Sequence, residues 1–130
     1  MSSIFSRIIA REIPAHIVDE NQWAIAFMDI RPLQIGHVLV VPKYEVDKLF
    51  ELPEEPYTQL WQFARHIASA LEKTVPCNRI GVTVYGLEVP HAHIHLIPIQ
   101  REGDMDFSQP LQGISQDQLA QLAKDIKANL

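Results

Sequence analysis

The sequence predicts an α+β domain built on a mostly antiparallel five-stranded sheet, with one long helix and a second helix at the C-terminus. Three observations carry this. Short segments rich in β-branched and apolar residues recur at 16–18, 23–27, 37–41, 79–84 and 92–97, several of them separated by turn-forming residues. Between the third and fourth, Tyr57, Leu60, Trp61, Ala64, Ile67, Ala68 and Leu71 return at three- and four-residue steps, one face of a helix over 54–73. Near the end, Leu119, Leu122, Ala123 and Ile126 form a second stripe behind Ser115 and Gln118, a capping-box pair that starts a helix over 116–129.

Taken in order, residues 3–11 predict a short helix presenting Ile4, Phe5, Ile8 and Ile9, turned aside by Pro14. Asp19, Glu20 and Asn21 predict the turn of a hairpin between the first two strands. The run from Asp29 to Pro32 closes the second strand. Gly36 precedes the third, which ends at Pro42 and reads as central. Pro53 and Pro76 bracket the long helix, and residues 85–90 connect the fourth strand to the fifth.

Composition narrows the class. A chain of 130 residues with 47% hydrophobic and 21% charged residues fits a single core, and no repeat or linker marks a second one. A net charge of −5 argues against a general nucleic-acid binder, which needs a basic face. No apolar run reaches membrane-spanning length and the first residues lack a signal-peptide layout. The single Cys77 excludes an intrachain disulfide or a multi-cysteine site and fits a reducing, cytoplasmic location.

The chemistry concentrates in His91-Ala92-His93-Ile94-His95. On a strand, alternate residues share a face, so the three imidazoles are expected together opposite Ala92, Ile94 and Leu96. Three readings stand side by side. One or two of the histidines are hydrogen-bonded core residues. Alternatively, the His-x-His pair holds a metal with a remote ligand such as His16, His37, Glu88 or Asp104, although no spacing singles one out. Or a neutral imidazole attacks the phosphorus of a nucleoside phosphate derivative while its neighbours donate to the phosphoryl oxygens, a scheme that uses all three.

The surrounding landmarks resemble the histidine-triad family: Ser-Ile-Phe-Ser-Arg-Ile-Ile at 3–9, Glu-Ile-Pro-Ala at 12–15, Ala-Phe-Met-Asp-Ile-Arg-Pro at 26–32, Gly-His-Val-Leu-Val-Val-Pro-Lys at 36–43, and Val-Pro-His-Ala-His-Ile-His-Leu-Ile-Pro at 89–98. Order and spacing agree over roughly a hundred residues. The resemblance implies a family domain over 1–108 with residues 109–130 as its helical extension. It also implies a homodimer whose two five-stranded halves make one sheet, and purine nucleotides or nucleotide conjugates bound in a cleft of each subunit. By matching position, His93 is the nucleophile, His95 a phosphate donor and His91 the group that orients the central imidazole. Asp29 matches the ribose-binding acid. Ile4, Phe5, Ile8, Phe27, Ile30 and Leu39 match the apolar base pocket, with His37 at its edge. The segment from Arg101 to Phe107 is expected, by similarity, to reach the partner's cleft.

Two departures from the family stand out. Many bacterial relatives carry cysteines at the positions of Ser3 and Ser6 and a histidine near Glu45, which hold a structural zinc with the first triad histidine; here the donors are unsuitable, and no structural zinc is expected. The loop before the triad is short, and Glu88 stands about where the family has a small polar residue facing phosphate. A carboxylate there repels an anion unless protonated or paired, so Glu88 is either a general acid for the leaving group or turned away from a simplified nucleotide-binding site. The expectation is a hydrolase of nucleoside 5′-monophosphate derivatives, phosphoramidate or dinucleotide, working through a nucleotidyl-His93 intermediate with no cofactor and no obligatory metal. The alternatives are a nucleotide-binding module with little catalysis and a metal-dependent His-x-His protein.

Overall fold

A computed structural model describes residues 3–130. The elements run α1 (Ile4–Ile9), β1 (Ile17–Glu20), β2 (Ala24–Met28), β3 (Val38–Pro42), α2 (Glu54–Thr74), β4 (Arg79–Thr83), β5 (Ile94–Ile99) and α3 (Gln116–Ala128), with single 3-10 turns at Leu49–Glu51 and Glu102–Met105. All five strands join one antiparallel sheet in the order β1-β2-β3-β5-β4. The predicted fold class, the central place of β3 and the capping box of Ser115 and Gln118 are all present.

Residue alternation sorts the sheet into two faces. Ala24, Ala26, Met28, Val38, Val40, Ile94 and Leu96 point into the larger core, where α2 and α3 bring Leu60, Ile67, Leu71, Leu119 and Ile126. Ile25, Phe27, Leu39 and Val41 point the other way, toward Phe5 and Ile8 of α1. With both faces covered, β2 and β3 read as unbroken apolar runs rather than alternating ones. Leu39 pairs with His95 across the β3–β5 ladder, so alternation alone puts His95 on the α1 face.

The boundaries differ from expectation in instructive ways. Helix α1 is shorter than residues 3–11: the Ser3 hydroxyl accepts from the Ser6 N–H at 3.0 Å, and after Ala10 the backbone of Arg11 turns left-handed at φ 64°. Asp19 and Glu20, expected in a turn, are paired residues of β1, and the turn is made by Asn21, whose side-chain oxygen accepts from the Trp23 and Ala24 N–H groups. The fifth strand starts at Ile94 rather than at residue 92, which alters the geometry of the triad.

Gly36 is held where only glycine fits. Its φ is +92°, and a Cβ there would lie 2.9 Å from Val75 Cγ2 and 3.1 Å from Pro98 Cγ. Gly36→Ala is expected to cost about 2–4 kcal/mol, from left-handed strain plus overpacking. A urea midpoint unchanged from wild type would contradict this.

Candidate active site

His91 and His93 sit on the irregular approach to β5, and only His95 lies in the strand. The three imidazoles therefore do not share one face. The rings of His93 and His95 meet at 4.8 Å between centroids. His91 turns away and is fully buried behind α1. What His91 offers its neighbour is a backbone carbonyl, which accepts from His93 Nδ1 at 2.7 Å. The expectation that the three imidazoles share one face is corrected, and the contact between His91 and the central ring is made by the His91 backbone.

The hydrogen-bond partners fix each tautomer, because a neutral imidazole carries one proton. His93 Nδ1 must carry it to reach the His91 carbonyl, so Nε2 is left with a bare lone pair. His37 Nδ1 accepts from the Leu33 N–H at 2.9 Å, which places the His37 proton on Nε2. That proton is donated to His95 Nδ1 at 3.0 Å, and the His95 proton is thereby forced onto Nε2. The backbone at Leu33 thus dictates, through two rings, that His95 presents a donor beside the bare nitrogen of His93. Burial keeps all four histidines neutral: it holds His37 and His95 down at about 3, with the neighbouring imidazoles adding to the effect, and lowers His91 and His93 as well.

Behind the triad, His91 Nε2 donates to the Pro42 carbonyl at 2.8 Å and Nδ1 accepts from the Ser3 hydroxyl at 2.7 Å. Ser6 donates to Glu45, whose carboxylate also accepts from the Ser3 N–H at 3.2 Å. These contacts pin α1 to the triad, and Phe5 is presented edge-on to the His93 ring at 4.9 Å.

A cleft of about 290 Å³ opens in front of His93 and His95. Ile4, Phe5, Ile8, Phe27, Ile30 and Leu39 form its apolar wall, and Asp29 and Glu88 bring carboxylates. Ten of the twelve expected site residues line it, His93 and His95 among them; the exceptions are His91 and His37. His37, expected at the edge of the base pocket, is fully buried beneath the cleft, 3.5 Å from Asp29 Oδ2, and acts on the site only through His95. Pattern reasoning overlooked Tyr85 and Phe107. Tyr85 stacks on His95 at 5.7 Å, and Phe107 stands edge-on to both rings. Their signal was an aromatic on each side of the triad strand, within reach once β5 pairs with β4. After β5, Phe107 and Pro110 line the chain's own cleft, and the Leu111 N–H donates to the Pro32 carbonyl at 2.8 Å.

A family model for the HIT domain matches residues 10–102. The chain belongs to the HIT domain family. Among its relatives, the adenosine 5′-monophosphoramidase HNT1 of Saccharomyces cerevisiae is 35% identical over 129 residues, covering 98% of this chain and 82% of the relative. Among solved structures, a HIT-like protein from Bartonella henselae described as involved in cell-cycle regulation superimposes with a TM-score of 0.87 at 30% identity, covering 99% of this chain and 96% of that one. A zinc-bound HIT family protein from Mycobacterium smegmatis gives 0.81 at 25% identity, with 99% and 93% covered.

The zinc of that relative raises the question of a metal in this HIT chain, and neither candidate cluster fits one. Around His91 the other donors are two hydroxyls and a half-exposed carboxylate, and the Ser3 hydroxyl occupies the Nδ1 lone pair directly. In front of it, Asp29, His37 and His95 bring three ligand atoms within 4.8 Å of one another. A metal on His37 Nε2 would require the proton on Nδ1, where it would face the Leu33 N–H donor. The hydrogen-bond chain and a metal at that position exclude each other.

Proposed function

We propose that this HIT family protein hydrolyses purine nucleoside 5′-monophosphate derivatives through a covalent intermediate on His93. One observation carries the reading: the bond from His93 Nδ1 to the His91 carbonyl leaves Nε2 unprotonated on a ring that lines a cleft with an apolar wall and carboxylates. The wall suits a planar base, the two oxygens of Asp29 suit the two ribose hydroxyls, and His93 and His95 then flank the α-phosphate. His93 Nε2 forms a bond to phosphorus as the P–N bond breaks, its electron pair leaving with the nitrogen, which takes up a proton. His95 Nε2–H donates to the oxygen on which charge accumulates. Water then attacks phosphorus, the P–Nε2 bond breaks, a proton is released and the nucleoside monophosphate departs with neutral His93 restored.

Glu88 lines the cleft, and in this reading its carboxylate stands beside the leaving group. A carboxylate beside that position disfavours an anionic polyphosphate and tolerates an amine, so phosphoramidates are the favoured substrates over dinucleoside polyphosphates. The relationship to a monophosphoramidase supports the same choice. In this reading the protein is a cytoplasmic homodimer with the sheet continued across the subunits. The edge strand β4, with its unpaired backbone groups and half-exposed Val82, is the place for that junction.

The test is a panel of adenosine and guanosine phosphoramidates and dinucleoside polyphosphates, with rapid acid quenching and peptide mass analysis. The expected result is faster turnover of phosphoramidates, by about tenfold or more, and a nucleotidyl mass on the peptide containing His93. Preference for the polyphosphates would reverse the role given to Glu88, and a chain that turns over neither class would leave no hydrolase reading.

A further inference from the structure

Tyr85 stands on the connection between β4 and β5 and lines the same cleft as Asp29, Glu88, His93 and His95. Its ring lies 12° from parallel to that of His95, and Phe107 closes against both at 4.8 and 4.9 Å. This aromatic pair is why His95 is only 5% exposed although it borders an open cleft.

The side-chain donors available to a phosphoryl group in the cleft are few. Among its lining side chains, only Arg31, Tyr85, His93 and His95 carry N–H or O–H groups. The His93 proton is committed to the His91 carbonyl, and Arg31 is an exposed side chain at the rim. Asp29 and Glu88 only accept when ionised. That leaves His95 Nε2–H and the Tyr85 phenol. The α-phosphate of a phosphoramidate has two non-bridging oxygens, and two donors on stacked rings are matched to it in number.

We propose that Tyr85 is the second phosphoryl donor of this site: its phenol donates to one non-bridging oxygen while His95 Nε2–H takes the other, and its ring with Phe107 shields the pair from water. The inference rests on the nucleotide reading above and adds a residue to it. Burial, reinforced by the charges of Glu88 and then Asp29, raises the phenol above its ordinary range, so it keeps the proton it has to donate. Shielding matters because a hydrogen bond to a charged oxygen strengthens as water is excluded.

The experiment compares wild type with Tyr85→Phe, which keeps the ring and removes the donor. Calorimetric binding of AMP and of adenosine is measured alongside single-turnover formation of the nucleotidyl-enzyme from an adenosine phosphoramidate. The expected result is unchanged adenosine affinity, AMP affinity lower by about tenfold, and nucleotidyl formation slower by about 10- to 100-fold. A Tyr85→Phe protein that matches wild type on AMP and on nucleotidyl formation overturns the proposal, as does one that loses adenosine and AMP binding equally, which marks a purely structural role. If wild type binds AMP but turns over no phosphoramidate, the hydrolase reading fails while the comparison of AMP with adenosine still decides Tyr85. Wild type binding neither ligand overturns both.

Discussion

His93→Ala is expected to lower turnover of a nucleoside phosphoramidate by on the order of 10⁴-fold or more while leaving AMP affinity within a few-fold of wild type. The asymmetry follows from the geometry. The His93 ring contributes a bare Nε2 to the reaction, whereas the apolar wall and Asp29, which hold base and ribose in this reading, do not depend on it. Removing the ring also leaves a space beside Phe5, whose edge it meets at 4.9 Å, so a melting curve accompanies the kinetics to show that the fold survives. Steady-state rates, AMP calorimetry and intact mass after quenching together check the prediction. A variant within tenfold of wild type would show that His93 is not the nucleophile.

The second large effect is on stability in acid. His37 and His95 are held neutral down to about 3, first by burial and then by their imidazole neighbours, against an ordinary value of 6.5. Well above pH 6.5 neither folded nor unfolded chain binds a proton at these sites, so they contribute no pH dependence there. Below it the unfolded chain takes up protons that the folded chain refuses, and stability falls as pH falls, until about pH 3. Each such histidine gives a slope that approaches about 1.4 kcal/mol per pH unit once its unfolded form is protonated, so the two together remove about 3 kcal/mol between pH 6.5 and 5. That is a large part of the stability of a domain this size. The carboxylates with lowered values, Glu20 and Glu45 among them, add their effect only below about pH 4.5. Urea unfolding at pH 7.5, 6.5 and 5 should give midpoints nearly equal for the first pair and much lower for the third. An unchanged midpoint at pH 5 would mean that the buried histidines are protonated in the fold.

Much of this was legible in the sequence because it rests on periodicity. Alternation assigned the faces of β2 and β3, and the three- and four-residue steps of α2 and α3 located the core helices. Alternation failed at the triad, where it was trusted two residues too far. The chain enters the strand only at Ile94, after a bend at His91, so one imidazole lies behind α1 and meets its neighbour through a backbone carbonyl. The burial of His37 was equally hidden, because a pattern of residue types does not reveal that the Leu33 N–H sits within 2.9 Å of its ring. Tyr85 and Phe107 lie in stretches without regular structure, where no period guides the reader. They become neighbours only when β5 pairs with β4 and the chain after β5 folds back.

The bond between Ser3 and His91 joins residues 88 positions apart, and the cleft draws its lining from Ile4 through Pro110. Contacts of such long range form late, because the entropy of closing the intervening loops must be met before they contribute stability. A partly folded or nascent chain therefore holds an isolated histidine cluster with no cleft before it, no fixed tautomers and no seat for a nucleotide. In the proposed reading, reactivity toward phosphorus is therefore acquired together with the fold itself.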